Sequence, residues 1–152
     1  MSEFVPANHV LLDQSASSVD DVLRLLADKS VELGLANDAD AVYEAFKARE
    51  AEGTTGMTGG FAIPHAKSDA ITKAGMIVVK FTEGVEWASM DDAPITCAIS
   101  ILTPAAEAGT THLQLLSKTA VLLMNEGFRS SVQDAADAEK IATLINEGLN
   151  EE

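Results

Sequence analysis

The chain's three histidines are its best candidates for nucleophilic chemistry, and His65 stands in the most suggestive surroundings. It follows Pro64 and the glycine-rich segment 53–60, in which three glycines fall within residues 56–60. Neutral imidazole is a good nucleophile near neutral pH, since its pKa is about 6.5. One ring nitrogen can hold its proton on a backbone carbonyl while the other attacks phosphorus. His65 is therefore a candidate phosphoryl acceptor; from composition alone, a structural turn histidine is the commoner case.

The residues around His65 predict a partly exposed ring. Phe61-Ala62-Ile63 is a short apolar run, and Pro64 biases the residue before it towards an extended conformation. The small neighbours on either side, Gly60 and Ala66 among them, leave space for a reactant to approach. We therefore expect His65 to lie at the end of a strand, beside the glycine-rich turn, with its imidazole open to solvent.

Four other residues offer groups that suit a phosphoryl anion. His112 is predicted in the first turn of a helix, where the positive end of the helix dipole attracts anions. Arg49 carries a planar fork of donors suited to phosphate oxygens, and Thr54 and Thr55 add hydroxyls in the adjacent turn. An ordinary structural role is open for His112 as a polar residue near a helix cap, and for Arg49 as a last-turn cation. The fold must bring these groups together for a site to exist.

Other chemistries have less support in the sequence. It contains no Gly-x-x-x-x-Gly-Lys-Ser/Thr loop, no Gly-x-Gly-x-x-Gly after a strand and no Gly-x-Ser-x-Gly. Cys97 lies in an apolar run, where an inert buried thiol is predicted. His65, His112 and a carboxylate show no paired spacing for zinc, so we predict no metal and no cofactor. His9 has no suggestive neighbours and is expected at the surface.

The charge balance is strongly acidic. The 152 residues include 24 Asp and Glu against 10 Lys and Arg, a formal net charge of −14. Such a field repels nucleic acid and attracts a basic partner, although solubility or a salt-adapted proteome explains most of these carboxylates as well. The length suits one domain, residues 1–152. With one cysteine, no signal peptide and no apolar run long enough to span a bilayer, we predict a cytoplasmic protein without direct membrane insertion.

Helical and strand patterns alternate along the chain. They predict an α/β fold in which a mixed, partly parallel β-sheet is flanked by helices on both faces. Turn signals are predicted at Glu83–Val85 and Asp91–Pro94, and a loop at Pro104–Gly109. The predicted strands are Val10–Leu12, Phe61–Ile63, Met76–Phe81 and Ile95–Leu102; the predicted helices are one opened by Ser18, one capped by Asn37 or Asp38, and three over His112–Met124, Arg129–Ala135 and Asp137–Glu147.

The second predicted helix carries Arg49 towards the glycine-rich segment. Val42, Phe46 and Arg49 recur at the spacing of one helical face, and Gly53 is a plausible stop. Arg49 is therefore expected in the last turn, pointing along the same face as Phe46.

The stretch from Arg49 to Ala66 closely resembles the active-site signature of the fructose/mannitol-type EIIA family of bacterial sugar phosphotransferase systems. It reads Arg-Glu, a short gap, then Gly-Thr-Thr-Gly-Met-Thr-Gly-Gly-Phe-Ala-Ile-Pro-His-Ala. The block His112-Leu-Gln-Leu-Leu-Ser-Lys is similar to the family's second histidine segment. The order of elements also matches, so the resemblance covers nearly the whole chain.

The resemblance implies roles for particular residues. His65 would accept phosphate from the phosphocarrier protein HPr and pass it to an EIIB component, while EIIC in the membrane moves the sugar. His112 matches the neighbouring histidine that helps to stabilise the phosphoryl group, and Arg49 matches the family's active-site arginine. Thr54 stands where the family commonly has serine, so the hydroxyl is retained. The implied substrate is a fructose-like sugar or a polyol, and the implied fold, a mixed sheet flanked by helices, agrees with the one predicted above.

Two other functions remain open at this point. A regulatory protein of the same fold would use its phosphorylation state to control a partner instead of feeding a transporter, although the wording around His65 is closer to fructose-type than to nitrogen-regulatory sequences. A plain binding domain without phosphotransfer would require His65 to be buried or remote from His112.

Overall fold

A computed structural model describes residues 4–107 and 113–150. Five strands and five α-helices lie in these ranges, with short 3₁₀ helices at Ala7–His9 and Ala105–Glu107. The strands are β1 (Val10–Gln14), β2 (Phe61–Ala62), β3 (His65–Ser68), β4 (Gly75–Val85) and β5 (Ile95–Pro104); the helices are α1 (Val19–Glu32), α2 (Ala39–Glu52), α3 (Leu113–Leu123), α4 (Glu126–Asp134) and α5 (Ala138–Asn150).

The strands form one mixed sheet around a central antiparallel pair. β4 and β5 run antiparallel, with Val78 opposite Ile99, and β1 adds to β4 in parallel. The other edge of β5 pairs with two short strands in succession, β2 and then β3, and both run parallel to β5. The predicted α/β architecture with a mixed sheet is confirmed.

Helices cover both faces of this sheet, as predicted. Because successive side chains of a strand point to opposite faces, β4 divides its residues between two cores. Ile77 and Val79 pack with apolar residues of α1 and α2, whereas Met76 and Val78 pack with those of α3, α4 and α5. Removing each such side chain from water contributes roughly 1.5–3 kcal/mol.

The first two helices begin at side-chain caps. Ser18 accepts a hydrogen bond from the backbone N–H of Asp21 at 3.2 Å, which confirms the predicted start of α1. For α2 the cap is Asp38, which accepts from Ala41 N at 3.2 Å and settles the choice between Asn37 and Asp38. α2 ends at Glu52, with Arg49 in its last turn and Gly53 as the C-cap residue, also as predicted.

The two long strands extend further than their sequences indicated. β4 continues through the turn predicted at Glu83–Val85, because Val85 still pairs with Ile95 after a register shift. β5 continues to Pro104, which pairs with Ser68 instead of opening the predicted loop. In both cases pairing with a neighbouring strand outweighed local turn propensity.

Three other predictions also need correction. His9 is buried, not at the surface, and its Nδ1 lies 3.0 Å from the carbonyl oxygen of Met76. α4 begins at Glu126, ahead of the predicted Arg129, because the side chain of Asn125 caps it. α5 runs from Ala138 past the predicted end at Glu147 to Asn150.

The helix predicted from His112 is described from Leu113 onward, so His112 itself lies outside the described residues. Of the helices in the described part of the chain, none combines the length and the apolar character needed to cross a lipid bilayer.

Candidate active site

His65 lies at a break in the edge strand that pairs with β5. β2 ends at Ala62, opposite Ala98, and β3 begins at His65, opposite Ile101. Between them, the N–H of Ile63 turns away from β5 to donate to Thr55 O at 3.0 Å. Pro64 has no N–H to offer a ladder, so the break occurs where pairing is weakest. His65 therefore opens a strand, and the prediction that it ends one is wrong.

This break lets the His65 ring fold back on its own main chain. Nδ1 lies 2.9 Å from the carbonyl oxygen of Ile63, which can only accept, so Nδ1 carries the proton. On the other edge of the ring, Arg49 Nε donates to Nε2 at 2.9 Å. A guanidinium can only donate, so Nε2 presents its lone pair. Partners on both edges thus select the same neutral tautomer, with Nε2 as the nucleophilic nitrogen.

The ring is buried, and the expectation of an imidazole open to solvent is wrong. His65 is 6% exposed. Pairing of β3 with β5 draws the residue into the sheet, and the half-buried Arg49 lies against its Nε2 edge. Burial is also the main reason that the pKa of His65 is lowered, because it penalises the imidazolium; the Ile63 carbonyl opposes this shift and Arg49 adds to it. The site therefore favours the neutral ring.

Arg49 reaches the site from the last turn of α2. While Nε donates to His65, Nη1 donates to the carbonyl oxygen of Gly53 at 2.7 Å. The guanidinium is thus anchored to the end of its own helix and presented edge-on to the imidazole. The sequence placed Arg49 on the face of Phe46; the structure adds that this face is directed towards His65.

The glycine-rich segment is folded back against the strand that leads to His65. Met57 N donates to Phe61 O at 2.8 Å, and Gly56 forms an antiparallel bridge with Ala62. Gly59 has a positive φ of 70°, and a Cβ there would meet the side chain of Arg129. The turn thus needs glycine for its conformation, and a Cβ would also displace the flexible Arg129 side chain.

A second segment, Ala88–Asp91, lies across the outside of this turn. The Thr54 hydroxyl donates to Ala88 O at 2.5 Å and accepts from Gly56 N at 3.0 Å. The carboxylate of Asp91 accepts from Gly59 N at 3.0 Å and from the Thr58 hydroxyl at 3.1 Å. Backbone donors therefore lower the pKa of Asp91, Gly59 first and then Ala93.

Thr55 faces inward and is bound by Glu50. Its hydroxyl donates to Glu50 Oε1, and its N–H lies 3.2 Å from Oε2 and 3.3 Å from Oε1. Thr55 is 5% exposed, so this carboxylate is its main polar partner among the contacts described.

The structure brings together some of the sequence-predicted residues. Arg49 and His65 are in direct contact, and Thr54 and Thr55 stand in the adjoining turn with their hydroxyl protons already donated. His112 cannot be placed, since it lies outside the described residues. Sequence reasoning gave no role to Glu50 or to the Ile63 carbonyl. The carboxylate next to Arg49 in the last helical turn was the only available signal for the first; no signal existed for the second, because every residue has a carbonyl.

Residues 3–148 match the family described as "Phosphoenolpyruvate-dependent sugar phosphotransferase system, EIIA 2". A fructose-specific EIIA component of Haloferax volcanii is 33% identical over 147 residues, which cover 97% of this chain and 95% of that protein. Several other relatives are longer proteins, and the chain spans only 17%, 21% and 23% of three of them.

Solved structures of similar proteins share the fold. The nitrogen regulatory protein IIA-Ntr of Neisseria meningitidis superposes with a TM-score of 0.86 at 26% identity, covering 94% of this chain and 97% of that one. Enzyme IIAMTL of Escherichia coli, determined in complex with phosphorylated enzyme IIBMTL, superposes with a TM-score of 0.78 at 18% identity, covering 94% of this chain and 97% of that one.

Proposed function

Because the chain belongs to the EIIA 2 family of the phosphoenolpyruvate-dependent sugar phosphotransferase system, we propose that it accepts a phosphoryl group on Nε2 of His65 and passes it to an EIIB protein. The observation that carries this proposal is the pair of contacts on the imidazole. Ile63 O holds the proton on Nδ1, and Arg49 Nε donates to the lone pair of Nε2.

The transfer follows from this arrangement. Nε2 attacks phosphorus in line; the new N–P bond forms as the bond between phosphorus and the donor's nitrogen breaks, and that electron pair returns to the donor. The Nδ1 proton stays on the Ile63 carbonyl side, so His65 needs no separate base. The protein contributes orientation and charge stabilisation to a loose transition state.

Arg49 must first release Nε2. We expect the hydrogen bond from Arg49 Nε to His65 Nε2 to be replaced by one from Arg49 Nε to a phosphoryl oxygen. Nη1 keeps its bond to Gly53 O and holds the guanidinium at the site. Burial of the resting ring meets one condition of the plain binding domain considered from the sequence, but membership of the EIIA 2 family favours phosphotransfer, and movement of the Arg49 side chain would uncover the Nε2 edge. A charge-assisted bond to phosphate is stronger than a bond to a neutral ring, so the exchange is favourable.

We propose different roles for the other residues predicted to bind phosphate. His112 is proposed as a second group that binds the phosphoryl oxygens. Thr54 and Thr55 would reach the phosphoryl group only by giving up their bonds to Ala88 and Glu50, so we assign them mainly to the shape of the turn.

The proposed physiological partners are HPr as donor and a fructose-type EIIB as acceptor, with EIIC in the membrane. The protein itself is proposed to act in the cytoplasm. The fructose-specific relative, 33% identical over nearly its whole length, supports sugar transport. A regulatory role is the alternative, and the similarity to a nitrogen regulatory protein at a TM-score of 0.86 supports it.

One experiment tests the phosphotransfer and its direction. The protein is incubated with Enzyme I, HPr and ³²P-labelled phosphoenolpyruvate, then chased with a fructose-type EIIB. We expect stoichiometric, acid-labile label on the wild type, none on His65→Ala, and loss of label to EIIB. Stoichiometric label on His65→Ala contradicts the assignment. Label that reaches His65 but never leaves for EIIB favours the regulatory alternative.

A further inference from the structure

Glu50 is half-buried in the last turn of α2, and its carboxylate makes contacts beyond its own helix. Its carboxylate accepts both the N–H and the hydroxyl of Thr55, five residues further along the chain. Its own carbonyl accepts from Gly53 N at 3.1 Å. Glu50 therefore ties the entry of the glycine-rich turn to the last turn of α2, beside Arg49. Hydrogen bonds to a carboxylate are about twice as strong as neutral ones, which suits a segment with few ladder bonds of its own.

Thr55 passes this restraint to the residue that orients His65. Its carbonyl oxygen accepts from Ile63 N at 3.0 Å. The carbonyl of the same Ile63 accepts from His65 Nδ1 at 2.9 Å. On the far side, the carbonyl of Pro64 accepts from Ile101 N at 3.0 Å. The two residues before the imidazole are thus held between Thr55 and β5.

From this continuous path we infer that Glu50 is a positioning residue for phosphotransfer: through Thr55 it fixes the Ile63 carbonyl that keeps the proton on Nδ1 of His65. The inference rests on the proposed function of His65 as phosphoryl acceptor. Two neighbouring residues of one helical turn then act on opposite edges of the ring. Arg49 contacts Nε2 directly, and Glu50 acts on Nδ1 indirectly, through Thr55 and Ile63. Without the carboxylate, Thr55 and Ile63 lose a fixed orientation, and the ring has a weaker preference for the reactive tautomer.

A purely structural role for Glu50 predicts a different result. If the carboxylate only stabilised the turn, its removal would lower the free energy of unfolding but leave the tautomer of the folded protein unchanged. The positioning role instead predicts a change in the ring itself. ¹⁵N chemical shifts of the imidazole report which nitrogen carries the proton, and they are read on the free protein without any donor.

The test compares Glu50→Ala, Glu50→Gln and Thr55→Val with the wild type. Each protein is labelled with ¹⁵N-histidine for the tautomer measurement, and its rate of phosphorylation is measured with potassium phosphoramidate, a small donor that requires no protein docking. For Glu50→Ala we expect the ¹⁵N shifts to move towards the Nε2-protonated form, to an extent limited by the remaining Arg49 contact, and a rate about 10- to 100-fold lower, the range seen when hydrogen-bond partners of metal-binding histidines are removed. Glu50→Gln retains an acceptor for Thr55, so its imidazole ¹⁵N shifts and its phosphorylation rate should be close to those of the wild type.

Thr55→Val keeps the N–H bond to Glu50 and removes only the hydroxyl, so an intermediate rate is expected even where Glu50→Ala fails to fold. Glu44→Gln is the matched control, because it removes a carboxylate from an exposed position of the same helix. Wild-type ring shifts and rates in Thr55→Val, together with wild-type values in any folded Glu50→Ala, overturn the inference. Failure of HPr to label the wild type would instead reject the proposed function, and the tautomer measurement would stand independently of it.

Discussion

Arg49 Nε donates to His65 Nε2 at 2.9 Å, so the cation best suited to a phosphoryl group already occupies the lone pair that would attack it. The resting site is therefore closed by its own arginine. The same guanidinium is anchored at Gly53 O, which keeps it within reach once Nε2 is used. In the proposed transfer Arg49 must leave Nε2, and the arrangement of these two residues leads to the following predictions.

Arg49→Gln is expected to lower the rate of His65 phosphorylation by HPr about 10²- to 10³-fold, the cost of losing a donor aimed at developing charge. The phosphorylation rate of Arg49→Lys should lie between those of the wild type and Arg49→Gln. An ammonium keeps the charge but cannot present the same planar fork to Gly53 O and Nε2. The rate of ³²P transfer is the measurement. Arg24→Gln, which removes a guanidinium paired with Asp40 on the protein surface, serves as the control and should label normally. Equal rates for Arg49→Gln and wild type would exclude Arg49 from the transfer step.

The phosphorylation rate should depend on pH through a pKa below 6.5 for His65. Burial lowers the pKa of this ring, so the neutral nucleophile persists as pH falls through 6.5. With phosphoramidate as donor, we expect the wild-type rate, corrected for the donor's own ionisation, to stay level through that pH and to decline only below it. The His65 ring resonances should titrate at the same lowered value. Titration at or above 6.5 would show that the ring is not held in its buried, neutral form.

The same lowered pKa links folding stability to pH. Unfolded His65 binds a proton as pH falls below about 6.5, whereas the native ring resists it until its own lower pKa is reached. The stability present above 6.5 is therefore lost as pH falls between these two values. His65→Gln should show a smaller loss in urea unfolding experiments over the same interval. A loss as large in His65→Gln as in the wild type would assign the effect to other groups.

Gly56→Ala is expected to lower both stability and phosphorylation. A Cβ at this position would collide with the carbonyl oxygen of Ala88, a backbone atom that cannot move without shifting the segment across the turn. We expect a loss of about 1–3 kcal/mol in the free energy of unfolding, measured with urea, and slower ³²P transfer. Gly34→Ala provides the comparison: its φ of 78° makes alanine costly, but no atom lies within 4 Å of the added Cβ. It should lose stability while its folded fraction transfers phosphate at the normal rate. Normal transfer by Gly56→Ala would mean that the shape of this turn does not matter to His65.

Salt should stabilise the protein. With a net charge of −14, repulsion among carboxylates opposes the compact state, and cations screen it. We expect the urea midpoint at pH 7 to rise between 0.05 and 1 M KCl, where the screening length shrinks from over 10 Å to about 3 Å. Near pH 4.4, the sequence pI, the same salt series should have much less effect. A midpoint that is independent of KCl at pH 7 would indicate that the carboxylates are too far apart to repel one another appreciably.

The sequence by itself determined the helices, the main strands and the chemistry available. Ser18 and Asp38 carry their capping oxygens wherever they occur, so α1 and α2 are local properties of the chain. The apolar runs of β4 and β5 indicated buried strands, and the stretch from Arg49 to Ala66 indicated a phosphoryl site through its resemblance to a family signature. These signals are readable because each depends on residues close together in sequence.

The tertiary structure decided how those groups act. Burial of His65 and its contact with Arg49 depend on β3 pairing with β5, which brings residues from distant parts of the chain together. The proton on Nδ1 depends on a nearer residue, Ile63, whose carbonyl lies beside the ring at the break in the edge strand. His9 shows the same dependence, since its Nδ1 bonds to the carbonyl oxygen of Met76 on β4. Nothing in the sequence indicates that His65 folds back onto this carbonyl or that His9 is buried. The exposure of each ring depends on the elements packed around it, and its tautomer depends on which backbone carbonyl lies beside it. Any residue supplies a carbonyl, so only the packed fold selects one.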